Sequence, residues 1–180
     1  MVFYINKVKI KIEYSFLLII AFALLLQNSV MLCVLLFSSL HELAHLISLV
    51  VFKGKPDELC LAFYGIGLKH SSKLSFSKEL TFLLSGVAVN FLFAILNIQR
   101  DINYSLALIN ILPVYPLDGG RALKLVLNKL FSLSVSDKVF KTVSAVFSFL
   151  LIFGFIYYKN FSLLLIFVYL IIFSFNNSFE

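Results

Sequence analysis

Six apolar runs recur along the chain and are separated by short segments that hold most of its charge. Hydrophobic residues make up 61% of the 180-residue sequence, whereas roughly half is usual for a soluble globular domain. A run of about 20 apolar residues can cross a bilayer as a helix. The sequence therefore predicts an all-α polytopic membrane protein with about six transmembrane helices, at residues 14–27, 30–52, 80–97, 103–117, 139–158 and 161–175.

The basic residues are distributed unevenly among the segments between these helices. If the N-terminus is cytoplasmic, thirteen of the fifteen Lys and Arg residues face the cytoplasm, and only Arg100 and Lys159 do not. An excess of basic residues in cytoplasmic segments is the usual orientation signal of membrane proteins. We therefore expect both termini to be cytoplasmic. The same signal accounts for the net charge of +6, so no nucleic-acid partner is expected.

Two shorter segments have other patterns. Residues 58–70 carry glycines and aromatic residues between apolar positions, which favours a membrane-associated extended hairpin. Residues 121–131 place apolar residues at helical spacing with basic ones between them, as in a helix lying at the membrane surface. No internal repeat or linker interrupts this plan, so we expect a single domain over residues 1–180, with its core at 30–131.

The second predicted helix contains His41-Glu42-Leu43-Ala44-His45, an H-E-x-x-H motif in an otherwise apolar run. Residues four apart lie on one face of a helix, so His41 and His45 can hold one metal ion. Glu42 is offset by about 100° around the helix and can reach a water beside the metal without being a ligand. Two imidazoles, a nearby carboxylate and an open position for water are the elements of a hydrolytic zinc site.

The apolar surroundings strengthen this interpretation. Each ionisable residue in the middle of a membrane helix costs about 2.5–3.5 kcal/mol. Three such residues on one turn are expected where they have a use, and a metal ion offsets the cost directly. The alternatives are a chance occurrence of the motif and a polar patch that neighbouring helices satisfy.

A catalytic zinc site usually has three protein ligands, so a third is expected from another segment. Asp118 is the best candidate, because two prolines interrupt the fourth predicted helix before it and Gly119-Gly120 follow it. Irregular backbone at membrane depth is tolerated where it is buried in protein or lines a cavity. In the predicted orientation, His41 and Asp118 both lie toward the cytoplasmic half of the bilayer. Two alternatives stay open, a plain turn in which Asp118 pairs with Arg121, and His70 as the third ligand.

The sequence resembles the site-2 protease family of intramembrane zinc metalloproteases. The resemblance rests on HELAH at 41–45, SGVAVN at 85–90 and NILPVYPLDGG at 110–120. The compact six-helix plan is similar to the stage IV sporulation protein FB branch of that family. Two features depart from the family pattern. Asn110-Ile111 stands where many members have Asn-Pro, and SGVAVN lacks the Pro that often follows its Gly.

This resemblance implies that the chain hydrolyses a peptide bond of a membrane-associated protein, within or near the cytoplasmic half of the bilayer. His41, His45 and Asp118 would hold one Zn²⁺ ion per chain, and Glu42 would be the catalytic base. The sporulation branch cleaves the pro-sequence of a sigma factor, so such a precursor is an expected substrate. A membrane regulatory partner is also expected, in the bacterial cell membrane or the membrane that surrounds the forespore.

The resemblance also implies substrate contacts in two segments. The family's hairpin, which matches residues 58–70, is thought to present the substrate as an added strand, and Tyr64 and Gly65 lie within it. Asn110 matches the family asparagine that helps to engage the substrate, and Pro113 belongs to the same stretch. The nucleotide-sensing domain usual at the C-terminus of the sporulation branch is not expected, because the sequence stops soon after the sixth predicted helix.

Two functions from other classes stay open. A metal transporter would use His41, His45 and Asp118 as a transit site, but the outer halves of these helices offer almost no further polar path. A non-catalytic membrane scaffold would have no reason to retain Glu42 beside three ligands. Proteolysis that depends on Glu42 would distinguish a protease from both.

Overall fold

The structure, a computed structural model, describes residues 1–5, 8–62 and 65–158. Contacts within the chain divide it into two compact units, Met1–Leu108 and Ile109–Glu180. The predicted helix at 161–175 lies outside the described residues. The elements, in chain order, are β1 (Val2–Ile5), β2 (Val8–Ile12), α1 (Tyr14–Leu25), α2 (Ser29–Val51), β3 (Glu58–Ala62), β4 (Gly65–Lys69), α3 (Phe76–Ile95), α4 (Arg100–Asn110), α5 (Asp118–Leu130) and α6 (Leu133–Tyr158).

The first unit contains a four-stranded sheet in the order β1-β2-β3-β4. Two antiparallel hairpins, β1-β2 and β3-β4, are joined by a parallel pairing that sets Lys9 opposite Glu58. The hairpin predicted at 58–70 is confirmed, but the N-terminal hairpin was not predicted. The expected all-α protein with one hairpin is therefore corrected to a mostly helical fold with a four-stranded sheet.

Helices α2 and α3 form the core of the first unit. The Asn28 side chain accepts a hydrogen bond from the Met31 backbone N–H at 3.0 Å, which caps the start of α2. The rings of Phe37 and Phe93 meet edge to face at 5.5 Å, and those of His45 and Phe82 lie 5.4 Å apart. Early residues of α2 thus face late residues of α3, so the two helices are antiparallel. The buried apolar residues of the two helices include Phe37, Ala44, Leu49, Phe82, Leu83, Val87 and Ala94.

The outer surface of these helices is apolar as well. On α2, Leu36, Ile47 and Val51 are between 55% and 68% exposed, and apolar surface on this scale marks contact with lipid or another protein. Among the described residues, α2 and α3 are long and apolar enough to cross a membrane, and α1 is apolar but shorter. Two such helices agree with a membrane location, and the full count of six stays a prediction.

The second unit holds the last two residues of α4, an irregular segment at 111–117, and then α5 and α6. The helix predicted at 103–117 ends at Asn110 instead, because two prolines follow within six residues and remove backbone donors. The helix predicted at 121–131 is confirmed within α5, while its place at the membrane surface stays a prediction. Helix α6 begins at Leu133, six residues before its predicted start. The Ser136 hydroxyl donates to Asn128 Oδ1 at 2.6 Å between α5 and α6.

Candidate metal centre

Two imidazoles on α2 face each other at hydrogen-bond distance. His41 and His45 are 4% and 3% exposed, and their Nε2 atoms lie 3.1 Å apart. Two nitrogens that each bind a tetrahedral zinc at 2.0–2.1 Å are about 3.3 Å from one another. The pair is therefore spaced to bind one ion, as the i, i+4 separation on α2 predicts.

The ring of His45 is held in place by the backbone of α3. Its Nδ1 lies 2.7 Å from the carbonyl oxygen of Phe82. A carbonyl oxygen only accepts, so Nδ1 carries the proton and Nε2 of the neutral ring keeps its lone pair for a metal. The Ser85 hydroxyl donates to the same carbonyl at 2.8 Å and lies 3.2 Å from Nδ1. These contacts fix both the tautomer and the orientation of His45.

Gly86 keeps a space open beside the two imidazoles. A Cβ at this position would lie 2.5 Å from Nε2 of His41 and 2.6 Å from Nε2 of His45. Both distances are shorter than any ordinary contact, so a larger residue at this turn of α3 would force the imidazoles or the helix to shift. The space that the missing side chain leaves adjoins the two Nε2 atoms that a metal would use. The residues present therefore fit a metal ion.

Glu42 adds a carboxylate to this group. It is half-buried, and ligand atoms from His41, Glu42 and His45 lie within 4.8 Å of one another. The three residues could hold a metal ion together. A carboxylate at this distance could equally accept a proton from a water beside the two imidazoles.

Asp118 lies in the second unit and is the first residue of α5, where it is 8% exposed. The two glycines that follow it allow the start of α5 to pack on the preceding backbone. A Cβ on Gly119 would lie 2.0 Å from the Ile111 carbonyl oxygen, and one on Gly120 would lie 2.5 Å from the Val114 carbonyl oxygen. The two glycines therefore let α5 begin in close contact with the preceding backbone. Its role as third ligand stays a prediction.

The predicted substrate-binding residues are spread over both units. Asn110 is the last residue of α4, and Pro113 lies in the irregular segment, where its carbonyl oxygen accepts from the Ser144 hydroxyl at 2.9 Å. Gly65 is the first residue of β4 and pairs with Ala62. Tyr64 lies outside the described residues. The substrate contacts of these residues stay predictions.

His70, the alternative third ligand, is buried in the first unit. Its Nε2 lies 3.7 Å from Glu79 Oε1, and its ring packs edge-on against Phe82 at 4.6 Å. It therefore shares the Phe82 ring with His45, but it is not a member of the group of possible metal ligands that His41, Glu42 and His45 form.

The roles of Phe82, Ser85 and Gly86 beside the histidines were not predicted from the sequence. The signal was present in SGVAVN, because glycine inside a membrane helix commonly marks a close approach of another group. The sequence could not show which group approaches, because that depends on how α3 packs on α2.

Comparisons with known proteins give a family match for part of the chain and a fold match for all of it. Residues 85–154 match the model of Peptidase family M50, a segment that includes Gly86 and Asp118 and begins after the H-E-x-x-H motif. No curated protein sequence matches the chain significantly. Among solved structures, the site-2 protease from Methanocaldococcus jannaschii aligns with a TM-score of 0.71 at 21% identity, over 100% of this chain and 95% of that chain. The chain therefore has the fold of a site-2 protease, and its segment from SGVAVN into α6 matches a peptidase family.

Proposed function

We propose that this chain is an intramembrane zinc metalloprotease that hydrolyses a peptide bond of a membrane-associated protein. The observation that carries the proposal is the pair of Nε2 atoms of His41 and His45, 3.1 Å apart and beside Glu42. An H-E-x-x-H helix supplies two metal ligands and a base on successive turns. The site-2 protease fold and the match to Peptidase family M50 support the same reaction class.

His41, His45 and Asp118 would hold the zinc ion, since two imidazoles and a carboxylate are a usual ligand set for catalytic zinc. When bound, zinc acts as a Lewis acid and lowers the pKa of water to about 7. The Phe82 carbonyl oxygen keeps Nε2 of His45 available for the ion. Burial of Asp118 at a close-packed turn supports its inclusion.

Glu42 would be the catalytic base. It is adjacent to His41 in sequence but offset from the face that carries both imidazoles, so it is placed to contact water beside the ion. It would accept a proton from the attacking water and return it to the amine that leaves. Such proton transfers contribute about 10²–10⁴-fold to rate.

The substrate would bind as an extended strand. A helical segment hides its carbonyl groups in backbone hydrogen bonds, so it must unwind before water can attack. Within the described sheet β4 is an edge strand, and an edge strand offers unpaired backbone groups to an added strand. Tyr64, Gly65, Asn110 and Pro113 are the residues that we expect to contact the substrate.

The first substrate to test is the pro-sequence of a sporulation sigma factor, because the compact helical plan of the chain is similar to that of the sporulation branch. The chain would act in a bacterial cell membrane or the membrane around the forespore, with both termini cytoplasmic and a membrane partner that regulates it. Co-expression with single-span or membrane-associated candidates, followed by mass spectrometry of the fragments, tests this assignment. Cleavage of other candidates, with no cleavage of the sigma-factor precursor, would reject it while keeping the protease.

Glu42→Gln tests the proposed reaction. The variant keeps size and hydrogen bonding but removes the base, so we expect a folded, zinc-loaded protein whose rate of peptide cleavage falls by about 10²–10⁴-fold. Glu79→Gln is the matched control, because Glu79 lies on α3 beside His70 and should not affect cleavage. Peptide cleavage by Glu42→Gln at the wild-type rate would refute the role of Glu42 as the base. Zinc flux into liposomes by the wild-type chain, without cleavage of any substrate, would favour a transporter.

A further inference from the structure

We infer that Asn90 is a further catalytic residue, whose carboxamide N–H donates a hydrogen bond to the carbonyl oxygen of the scissile peptide bond. The inference rests on the proposed protease function. It starts from the burial of this side chain on α3, which is 0% exposed. Among the described residues, neither Oδ1 nor Nδ2 of Asn90 has a hydrogen-bond partner. Nearly all buried polar groups in proteins are hydrogen-bonded, so a buried amide with both ends open needs an explanation.

Asn103, which is also buried in the first unit, provides a contrast. Its Nδ2 donates to the carbonyl oxygen of Ile98 at 2.8 Å, in the turn that precedes α4. Asn103 therefore has a local structural role that accounts for its donor. No such contact accounts for the donor of Asn90 among the described residues.

The position of Asn90 on α3 places it next to the imidazole pair. Residues 82, 86 and 90 are spaced by four and share one helical face. On that face, the Phe82 carbonyl oxygen accepts a hydrogen bond from Nδ1 of His45, and Gly86 lies against the Nε2 atoms of both histidines. Beyond Asn90, Phe93 packs on Phe37, which precedes His41 by one turn. Asn90 is therefore enclosed between two points at which α3 contacts α2.

The direction of helical side chains brings the amide back toward the metal centre. Side chains on an α-helix lean toward its N-terminus and cover the preceding turn. For Asn90, the preceding turn is that of Gly86, which has no side chain of its own. This lean turns the carboxamide toward the turn of Gly86, whose Cα adjoins the two Nε2 atoms, and it is there that we place the ion and the scissile carbonyl.

The chemistry of an amide at this place favours a donor role. Zinc is bound in proteins by thiolate, imidazole and carboxylate rather than by amide groups, so Asn90 is not expected to be a ligand. Negative charge develops on the carbonyl oxygen as water attacks, and a fixed donor in a buried site stabilises it strongly. Ser85, the nearby hydroxyl on α3, already donates to the Phe82 carbonyl oxygen.

Asn90→Leu and Asn90→Ala in the full-length chain test the inference. Both remove the donor; Leu keeps most of the volume and Ala avoids overpacking. We expect unchanged zinc content and a KM within about twofold of wild type, because Asn90 contacts neither the ion nor the ground state strongly. We expect kcat to fall by about 10²–10³-fold, the usual effect of removing one such donor. Removing an open amide should also leave thermal stability at or above that of wild type.

A phosphinic peptide gives a readout that does not depend on turnover. Its tetrahedral phosphinate resembles the attacked carbonyl, whereas an N-methylated peptide of the same sequence resembles the uncleaved substrate. Both Asn90 variants should lose phosphinic-peptide affinity by the factor lost in kcat and keep the affinity for the N-methylated peptide. Asn103→Ala is the control, which should lower stability and leave kcat per folded molecule unchanged.

Several results would overturn the assignment. The donor role is refuted if an Asn90 variant keeps kcat within threefold of wild type. It is also refuted if a variant loses affinity for the phosphinic and N-methylated peptides equally. If neither Asn90→Leu nor Asn90→Ala folds, Asn90 has a structural role instead. Loss of zinc from either variant would show the same. A wild-type chain that binds neither zinc nor the phosphinic peptide refutes the proposed function, and the role of Asn90 with it. If the wild-type chain cleaves its substrate and Asn90→Leu cleaves it at the same rate, the role of Asn90 is refuted while the proposed function stands.

Discussion

Gly86→Ala adds one methyl group at the point where α3 meets the two imidazoles. The new Cβ would lie 2.5 Å and 2.6 Å from the Nε2 atoms of His41 and His45, and ordinary contact begins at 3.4 Å. Each nitrogen would therefore have to retreat by about 0.8–0.9 Å, the difference between these distances. Metal–ligand distances tolerate changes of only about 0.2 Å. The substitution should break at least one metal–nitrogen bond unless α3 moves away from α2.

The expected loss of zinc affinity follows from the displacement of both histidine ligands at once. Changing a single residue that supports a ligand weakens metal affinity by about 10–100-fold, so Gly86→Ala should weaken zinc binding by at least about 100-fold. The chain should fold, because overpacking of this kind costs about 1–3 kcal/mol. Its stability should no longer respond to zinc, whereas excess zinc at 1,000 times Kd stabilises a binding protein by about 4.1 kcal/mol.

The assay is competition for zinc between the purified protein and a chromogenic chelator, together with thermal unfolding with zinc and with EDTA. Ala88→Val is the matched control, because it adds bulk at an exposed position on the same helix. We expect the control to bind zinc as the wild type does. Zinc affinity within threefold of wild type in Gly86→Ala would refute the reasoning, since it would show that contact between α3 and the two nitrogens does not limit zinc binding.

Three further predictions test the second unit and the membrane orientation. Asp118→Ala should lower zinc content and abolish cleavage, and normal zinc content in the purified variant would assign the third ligand elsewhere. His70→Ala should keep zinc bound, because His70 is outside the group of possible ligands that His41, Glu42 and His45 form. Gly119→Ala should destabilise the chain by about 1–3 kcal/mol or more, because its Cβ would meet a backbone carbonyl oxygen at 2.0 Å. Thermal unfolding measures the effect, and unchanged stability would contradict the close packing described for the 111–117 segment. After both native cysteines are replaced, a cysteine at Ile98, which is 42% exposed, should react with a membrane-impermeant maleimide on intact cells; labelling only after lysis would contradict cytoplasmic termini.

The helical part of the fold followed from local patterns. The predicted helix at 30–52 agrees with α2 at Ser29–Val51, and the hairpin predicted at 58–70 agrees with β3 and β4. Both predictions depend on neighbours in sequence, on a long apolar run and on glycines between short apolar stretches. The same local rule misplaced the end of α4, because the apolar residues continue past Asn110 while the prolines stop the helix.

The N-terminal strands show a local signal that was overlooked. Residues 8–12 alternate apolar and lysine side chains, which is the two-residue period of a strand with one covered face. The same lysines also contribute to the orientation signal of a membrane protein, which does not distinguish a strand from a basic tail. The parallel pairing of β2 with β3 joins residues about fifty positions apart, which no local pattern could have predicted.

The sequence by itself determined the imidazole pair and its neighbouring carboxylate. His41, Glu42 and His45 share one helix, and helical geometry fixes their relation whatever surrounds them. Only the tertiary structure decided what supports the pair. The Phe82 carbonyl on His45, the space at Gly86 and the open amide of Asn90 arise because α3 packs antiparallel on α2. Such contacts depend on which faces meet and at what register, and that is decided by packing of side chains far apart in sequence rather than by the order of residues within either helix.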